Sequence, residues 1–195
     1  MRLPRTAHTS RPWRIHEFTQ DFEVEDVWAL PTPGGPQDFG RLVRLFTSGR
    51  DGSALSNPVV RVLFAVRWKL GAVLGWDKPG TGVGSGVQSL RERLPADLRD
   101  GIRGPDLRTV PFTSVYQTED EWVAESANRT VHVLMHIGWV PDENGGCSGE
   151  MTALVKPNGL VGKVYMAGIR PIRHLVVYPR LIQSIERRWQ AAVAG

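Results

Sequence analysis

His132 and His136, four residues apart, are the most metal-like pair in this chain of 195 residues. On a helix that spacing stacks two imidazoles on one face. Their segment, RTVHVLMHIGWVP, instead alternates with period two. His132, Leu134 and His136 then share one face of a strand, and Val131, Val133, Met135, Ile137 and Trp139 share the other. Only the second set is uniformly apolar, so it belongs against a core or a pocket. The histidines are expected on the outer surface of the sheet or against a subunit partner. No HExxH and no cluster of acids and histidines accompanies them, so no metal site is assigned.

His174 is the stronger candidate for moving a proton, because it lies on a helical segment just before an apolar pair. Arg170 and Arg173 flank it and suit an anionic or polar ligand group. Glu125 and Glu150 are the strand acids of interest, although the period-two pattern does not decide whether they face the core or water. Tyr116 and Tyr165 offer hydroxyls at a pocket edge, with amphipathic packing as the plain reading. The run GTGVGSG matches neither a dinucleotide fingerprint nor a phosphate loop, and a helical pattern precedes it. No serine elbow, triad order or cofactor signature is present. Cys147 is the only cysteine, so no intramolecular disulfide forms, and no basic neighbour in GGCSG lowers its pKa. The chain therefore calls for no cofactor.

The elements that position these residues read most clearly toward the C-terminus. The 131–141 strand turns at DENGG and returns as CSGEMTALVKP, after which the chain is helical to Trp189. Leu175, Tyr178, Ile182, Ile185 and Trp189 form the apolar stripe, while Pro171 and Pro179 start, break or kink the helix. Before these, FTSVYQT and EWVAESA read as a hairpin joined by TEDE. WRIHEF, residues 13–18, reads as a first strand, and FEVEDVWALPT as an acidic helix stopped by Pro31 and Pro33. Asp38 can cap a helix carrying Phe39, Leu42, Val43 and Phe46 on one face, and Asn57-Pro58 starts another. Residues 77–111 form a long connection with a short helical patch, SLRERLPADL.

The apolar share of 41% and charged share of 23% are those of an ordinary globular domain, and one of this length needs no staple. The net charge of +4 comes with scattered positives and no nucleic-acid motif, which argues against a nucleic-acid partner. Arg2, Arg5, Arg11 and Arg14 mark residues 1–10 as a disordered basic N-terminus ahead of one domain over 11–195. No signal peptide and no membrane span is legible, so a cytoplasmic location is expected.

The blocks RPWRIHEF, EDVWALPTP, RVLFAVRWKLGAVLGWD, LRERLPADLR and VKPNGLVGKVYMAGIRPIRHLVVYP resemble the bacterial domain-of-unknown-function 2867 family, grouped with the START-like, Bet v 1-like (SRPBCC) helix-grip superfamily. The resemblance implies an α+β fold in which a curved antiparallel sheet wraps a long C-terminal helix, with short helices after the first strand. It carries over no reaction. Relatives in the wider superfamily bind lipids, hormones or polyketides, and some cyclise or dehydrate polyketides; joined oxidoreductase-like domains imply an oxidoreductase partner acting in trans.

The expected function is binding of an apolar or aromatic small molecule between the sheet and the C-terminal helix. Trp122, Met135, Trp139 and Met151 are the expected ligand contacts from the sheet, with Tyr165, Met166, Arg170, His174 and Tyr178 from the helical side. The cavity should hold several hundred cubic ångströms, with its mouth near the 77–111 connection. One alternative is a cyclase- or dehydratase-like enzyme in which His174 works with Tyr116 or a glutamate. The other is an interaction module, such as a homodimer, built on the outer sheet face.

Overall fold

Alternation of apolar and polar residues builds the sheet. In the computed structural model, which describes residues 1–48, 83, 87–107, 110–128, 131–143, 145–159, 166–168, 170–171 and 173–194, the two hairpins form where the pattern changes period. Strands β3 (Thr113–Gln117) and β4 (Glu121–Ala127) make the first. Strands β5 (Val131–Pro141) and β6 (Cys147–Pro157) make the second, paired from Val131↔Pro157 to Pro141↔Cys147. The helix at Asn57-Pro58, the glycine run apart from Val83, and Tyr165 lie outside the described residues.

The acidic segment expected to be a helix is instead strand β2 (Glu23–Ala29). It pairs antiparallel with β6, and its other edge takes β1 (Arg2–Leu3). The antiparallel sheet of six strands runs β1-β2-β6-β5-β4-β3. Bulges at Val24/Asp26 and Ser114/Tyr116 bend the two strands that carry them. Helix α1 (Arg5–Thr9) follows β1, so residues 1–10 are ordered rather than disordered. They are tied down by the β1–β2 pairing and by His8, which is fully buried. Helix α2 is Phe39–Thr47 and short helix α3 is Ala96–Asp100. After a π-helical turn over Arg173–Val177, the chain ends in helix α4 (Tyr178–Ala194). Among the described residues no helix is long and apolar enough to cross a membrane.

One face of the sheet packs on α2 and α4. Trp28, Trp122, Ile137, Trp139 and Met151 meet Leu42, Phe46, Leu181, Ile185 and Trp189 there. The other face is covered as well, and this corrects the expectation of an outer histidine surface. Trp13, Ile15, Phe18 and Phe22 from the N-terminal segment and Leu90, Leu94 and Leu98 lie over Tyr116, Val123, Leu134 and Leu154. Each such side chain contributes roughly 1.5–3 kcal/mol by leaving water. Gly138 lets this layer approach closely, since a Cβ there would sit 2.7 Å from the Trp13 ring.

Two glutamates of β4 anchor the cover. Glu121 Oε1 and Oε2 accept from the backbone N–H groups of Arg14 and Ile15 at 2.7 and 3.4 Å. These are the first donors of a 3₁₀ turn over Arg14–Glu17, whose own N-cap side chain makes no bond. WRIHEF is therefore a turn and not a strand. Glu125 repeats the device, accepting from Ser89 Oγ (2.5 Å) and Leu90 N (2.9 Å) at the start of a turn over Leu90–Arg93. Each carboxylate is matched by a histidine across the β4–β5 ladder. His136 Nε2 donates to Glu121 (3.2 Å) and His132 Nε2 to Glu125 (2.8 Å). Tyr116 Oη adds a fourth donor to Glu121 at 2.8 Å. Burial is the largest single influence and raises both glutamate pKa values, but the bonds from the histidines, the backbone N–H groups and the hydroxyls together outweigh it, and both end below the ordinary value.

His8 stacks between His16 and His136, at ring separations of 4.8 and 4.9 Å. Burial first, then His136, His16 and Arg11, lowers its pKa to about 3. Below pH ~6.5 the unfolded chain protonates His8 and the folded chain does not. Stability present above that pH is therefore lost as the pH falls toward 3, by up to ~1.4 kcal/mol per pH unit. The depressed Glu121 and Glu125 add acid lability below about pH 4.5. Urea unfolding between pH 7 and 5 should show the first slope, and His8→Phe should flatten it while leaving the lower limb.

Candidate functional site

The bulge in β2 decides what faces the C-terminal helix. Val24 pairs with Leu154 and Asp26 with Ala153, leaving Glu25 as the extra residue. Val24 therefore joins the covered outer face, while Asp26 and Trp28 turn toward the helix side. Asp26 is 1% exposed. Its Oδ1 accepts from His174 Nε2 at 2.5 Å, and its Oδ2 lies 3.1 Å from Arg173 Nη2. Glu25 Oε1 accepts from the same Nη2 at 2.7 Å. Arg2 and Arg5 approach these acids from the exposed side at 3.7 and 3.8 Å. Residues from the two ends of the chain thus form one ionic cluster.

Beside that cluster lies a cavity of about 240 Å³. Its wall on the sheet is Trp28, Val133, Met135, Met151, Ala153 and Val155, and its wall on the helical side is Met166, Arg173, Val177, Tyr178 and Leu181. Pro111 and Phe112, at the limit of the 77–111 connection, also line it. Tyr178 stacks on Trp28 at 4.9 Å. Burial, and next the Asp26 carboxylate, push its phenol pKa well up, so it remains a neutral hydroxyl.

Met135, Met151, Met166 and Tyr178 all line this cavity. Trp122 and Trp139 share the same face but are used in packing. Trp122 Nε1 donates to Ser114 Oγ (2.9 Å), and Trp139 Nε1 donates to the Gly35 carbonyl (3.1 Å) while its ring meets Trp189. Arg170 is exposed and lines a neighbouring groove with Glu23, Glu25, Val155, Pro157, Met166 and Ala167. His174 is half-buried, bonded to Asp26, and outside the cavity lining. Tyr116 lies on the opposite side of the sheet, bonded to Glu121, so it cannot act with His174. Glu125 and Glu150 are buried on that side too, and burial raises the Glu150 pKa. The sequence reading missed Trp28, Asp26 and Glu121. Glu121 was recoverable: EWVAE placed against HVLMH puts two acids and two histidines at matching four-residue spacing.

The described residues contain no group of three or more histidine, cysteine or acidic side chains able to hold a metal ion. The family model described as "Protein of unknown function (DUF2867)" matches residues 18–180, and the chain belongs to that family. No curated protein and no solved structure matches it.

Removing Asp26 would leave the Arg173 guanidinium half-paired and His174 without a partner. Breaking a buried ion pair from one side costs roughly 3–5 kcal/mol. Urea titration of Asp26→Ala should show a loss of that size, with an unchanged slope. Glu25→Gln, at a less buried position, should cost distinctly less.

Proposed function

We propose that the protein binds an apolar or aromatic small molecule in the cavity between its sheet and its C-terminal helix. The observation that carries this reading is a 240 Å³ space walled by methionine, aliphatic and aromatic side chains. A dry cavity of roughly 150 Å³ takes a benzene ring, so this one suits a molecule of about two fused rings. The resemblance to START-like helix-grip proteins points the same way, as does the low formal charge of the lining. We place this activity in the cytoplasm.

Proton-transfer chemistry of the cyclase or dehydratase kind is a second reading, favoured by one observation. Asp26 fixes the His174 ring through Nε2 at the edge of the ionic cluster, as a carboxylate orients a general base. The two readings separate at His174→Ala. A binder keeps its ligand with altered affinity, whereas an enzyme keeps binding and loses roughly 10²–10⁴-fold in turnover of a polyketide substrate.

Filling the cavity tests the principal reading. Ala153 faces the space from β6, and Ala153→Phe should occupy it. Calorimetric titration with 2-ethylnaphthalene should show binding to the wild type and a loss of about 10-fold or more in the variant. The folding midpoint should stay level or rise, because the added ring enters space instead of packed atoms. At 100 times Kd the ligand should stabilise the wild type by ~2.7 kcal/mol, about 5–11 °C in a chain of this length. Unaltered affinity in Ala153→Phe would place the bound molecule elsewhere.

A further inference from the structure

We infer that Arg173 is the specificity-determining residue of the cavity, and that the molecule it selects carries a neutral oxygen acceptor, a ketone or similar carbonyl, on its apolar body. This deepens the small-molecule reading above and rests on it. Among the described lining residues Arg173 alone carries a formal charge. Its three nitrogens are in three different situations. Nη2 is taken by Glu25 at 2.7 Å and Asp26 at 3.1 Å. Nε is enclosed and has no partner among the described residues. Nη1 has no partner among them either, yet it is not enclosed, and the side chain retains 15% exposure. Nη1 is therefore the donor edge left for a ligand. The guanidinium is planar and rigid, so clamping one tine of its fork on two acids fixes the direction of the other.

Charge decides what that edge accepts. The Arg173 charge is already met by two carboxylates, one of them fully enclosed. An anionic ligand group would have to sit close to Asp26, whose other cationic neighbour, Arg2, is 3.7 Å away and 45% exposed. A cation would find no acceptor on this edge. A carbonyl oxygen accepts from Nη1 without adding charge, while the rest of the molecule lies against Met135, Met151, Trp28 and Tyr178.

Calorimetric titration of the full chain with three matched probes tests this. 2-Acetylnaphthalene carries the carbonyl, 2-ethylnaphthalene replaces it with a methylene of similar shape, and 2-naphthoate carries a negative charge. The ketone should bind about 10-fold tighter than the ethyl compound, the size of one hydrogen bond from a charged donor, and tighter than the carboxylate. Arg173→Lys should erase the ketone's advantage over the ethyl compound. It preserves the charge facing Glu25 and Asp26, but its single nitrogen is drawn onto them. Equal binding of ketone and ethyl compound, or an advantage that survives Arg173→Lys, overturns the inference while the cavity-binding reading stands. Tightest binding of 2-naphthoate overturns it in favour of an anion site. If none of the three binds, both readings fall. Should Arg173→Lys not fold, the ranking on the wild type decides by itself.

Discussion

A buried carboxylate joins the beginning of this chain to its end. Asp26 lies on the first long strand and holds Arg173 and His174, which open the last helical stretch. The ion pair also forms one end of the cavity, since Arg173 and the neighbouring Tyr178 both line it. All of this depends on the bulge at Glu25. Without the extra residue, Asp26 would share a face with Val24 and point into the covering layer, away from Arg173 and His174. The bulge thus decides whether this buried acid meets Arg173 and His174. It also places Glu25 where it can share the guanidinium.

The opposite side of the sheet answers the same difficulty by another route. A sheet covered on both faces needs partners for every polar group its covers bring in. Short 3₁₀ turns are poor at this, because their leading N–H groups have no internal acceptors. Glu121 and Glu125 supply acceptors from the sheet, and His136 and His132 supply the compensating donors. Two segments far apart in sequence, 14–17 and 90–93, are thereby fixed by one strand. The histidine pair with metal-like spacing supplies the hydrogen-bond donors of this capping system.

The same bulge explains why β2 was hidden in the sequence. In a regular strand the apolar residues of FEVEDVWAL would alternate. Here Val24, Val27 and Trp28 stand at i, i+3 and i+4, which is helical spacing, because one residue is inserted between two registers. Asp26 therefore fell within a segment that reads as an acidic helix. WRIHEF failed in the reverse direction: Trp13 and Ile15 alternate as in a strand, but the acceptor that makes a turn of the segment is Glu121, 107 residues from Arg14. No local pattern carries that information. The hairpins were legible because their regular pairing leaves period two intact, and so Met135 and Met151 were placed on the cavity side. Trp122 and Trp139 shared their face, but which aromatic side chains pack and which border space depends on α2 and on the loop carrying Gly35, to which Trp139 bonds.

The cavity has a cause in the covalent chain. Pro179 has no N–H to give the Leu175 carbonyl, and its ring crowds that carbonyl. The stretch just before it, Arg173–Val177, widens into a π turn instead of continuing as a tight α-helix. A wider turn spreads its side chains over a larger arc: Arg173 and His174 reach Asp26, and Val177 reaches the cavity. Further along, the regular helix packs Ile185 and Trp189 tightly into the core. The change from packed core to open space thus follows the change from α to π geometry along the C-terminal stretch.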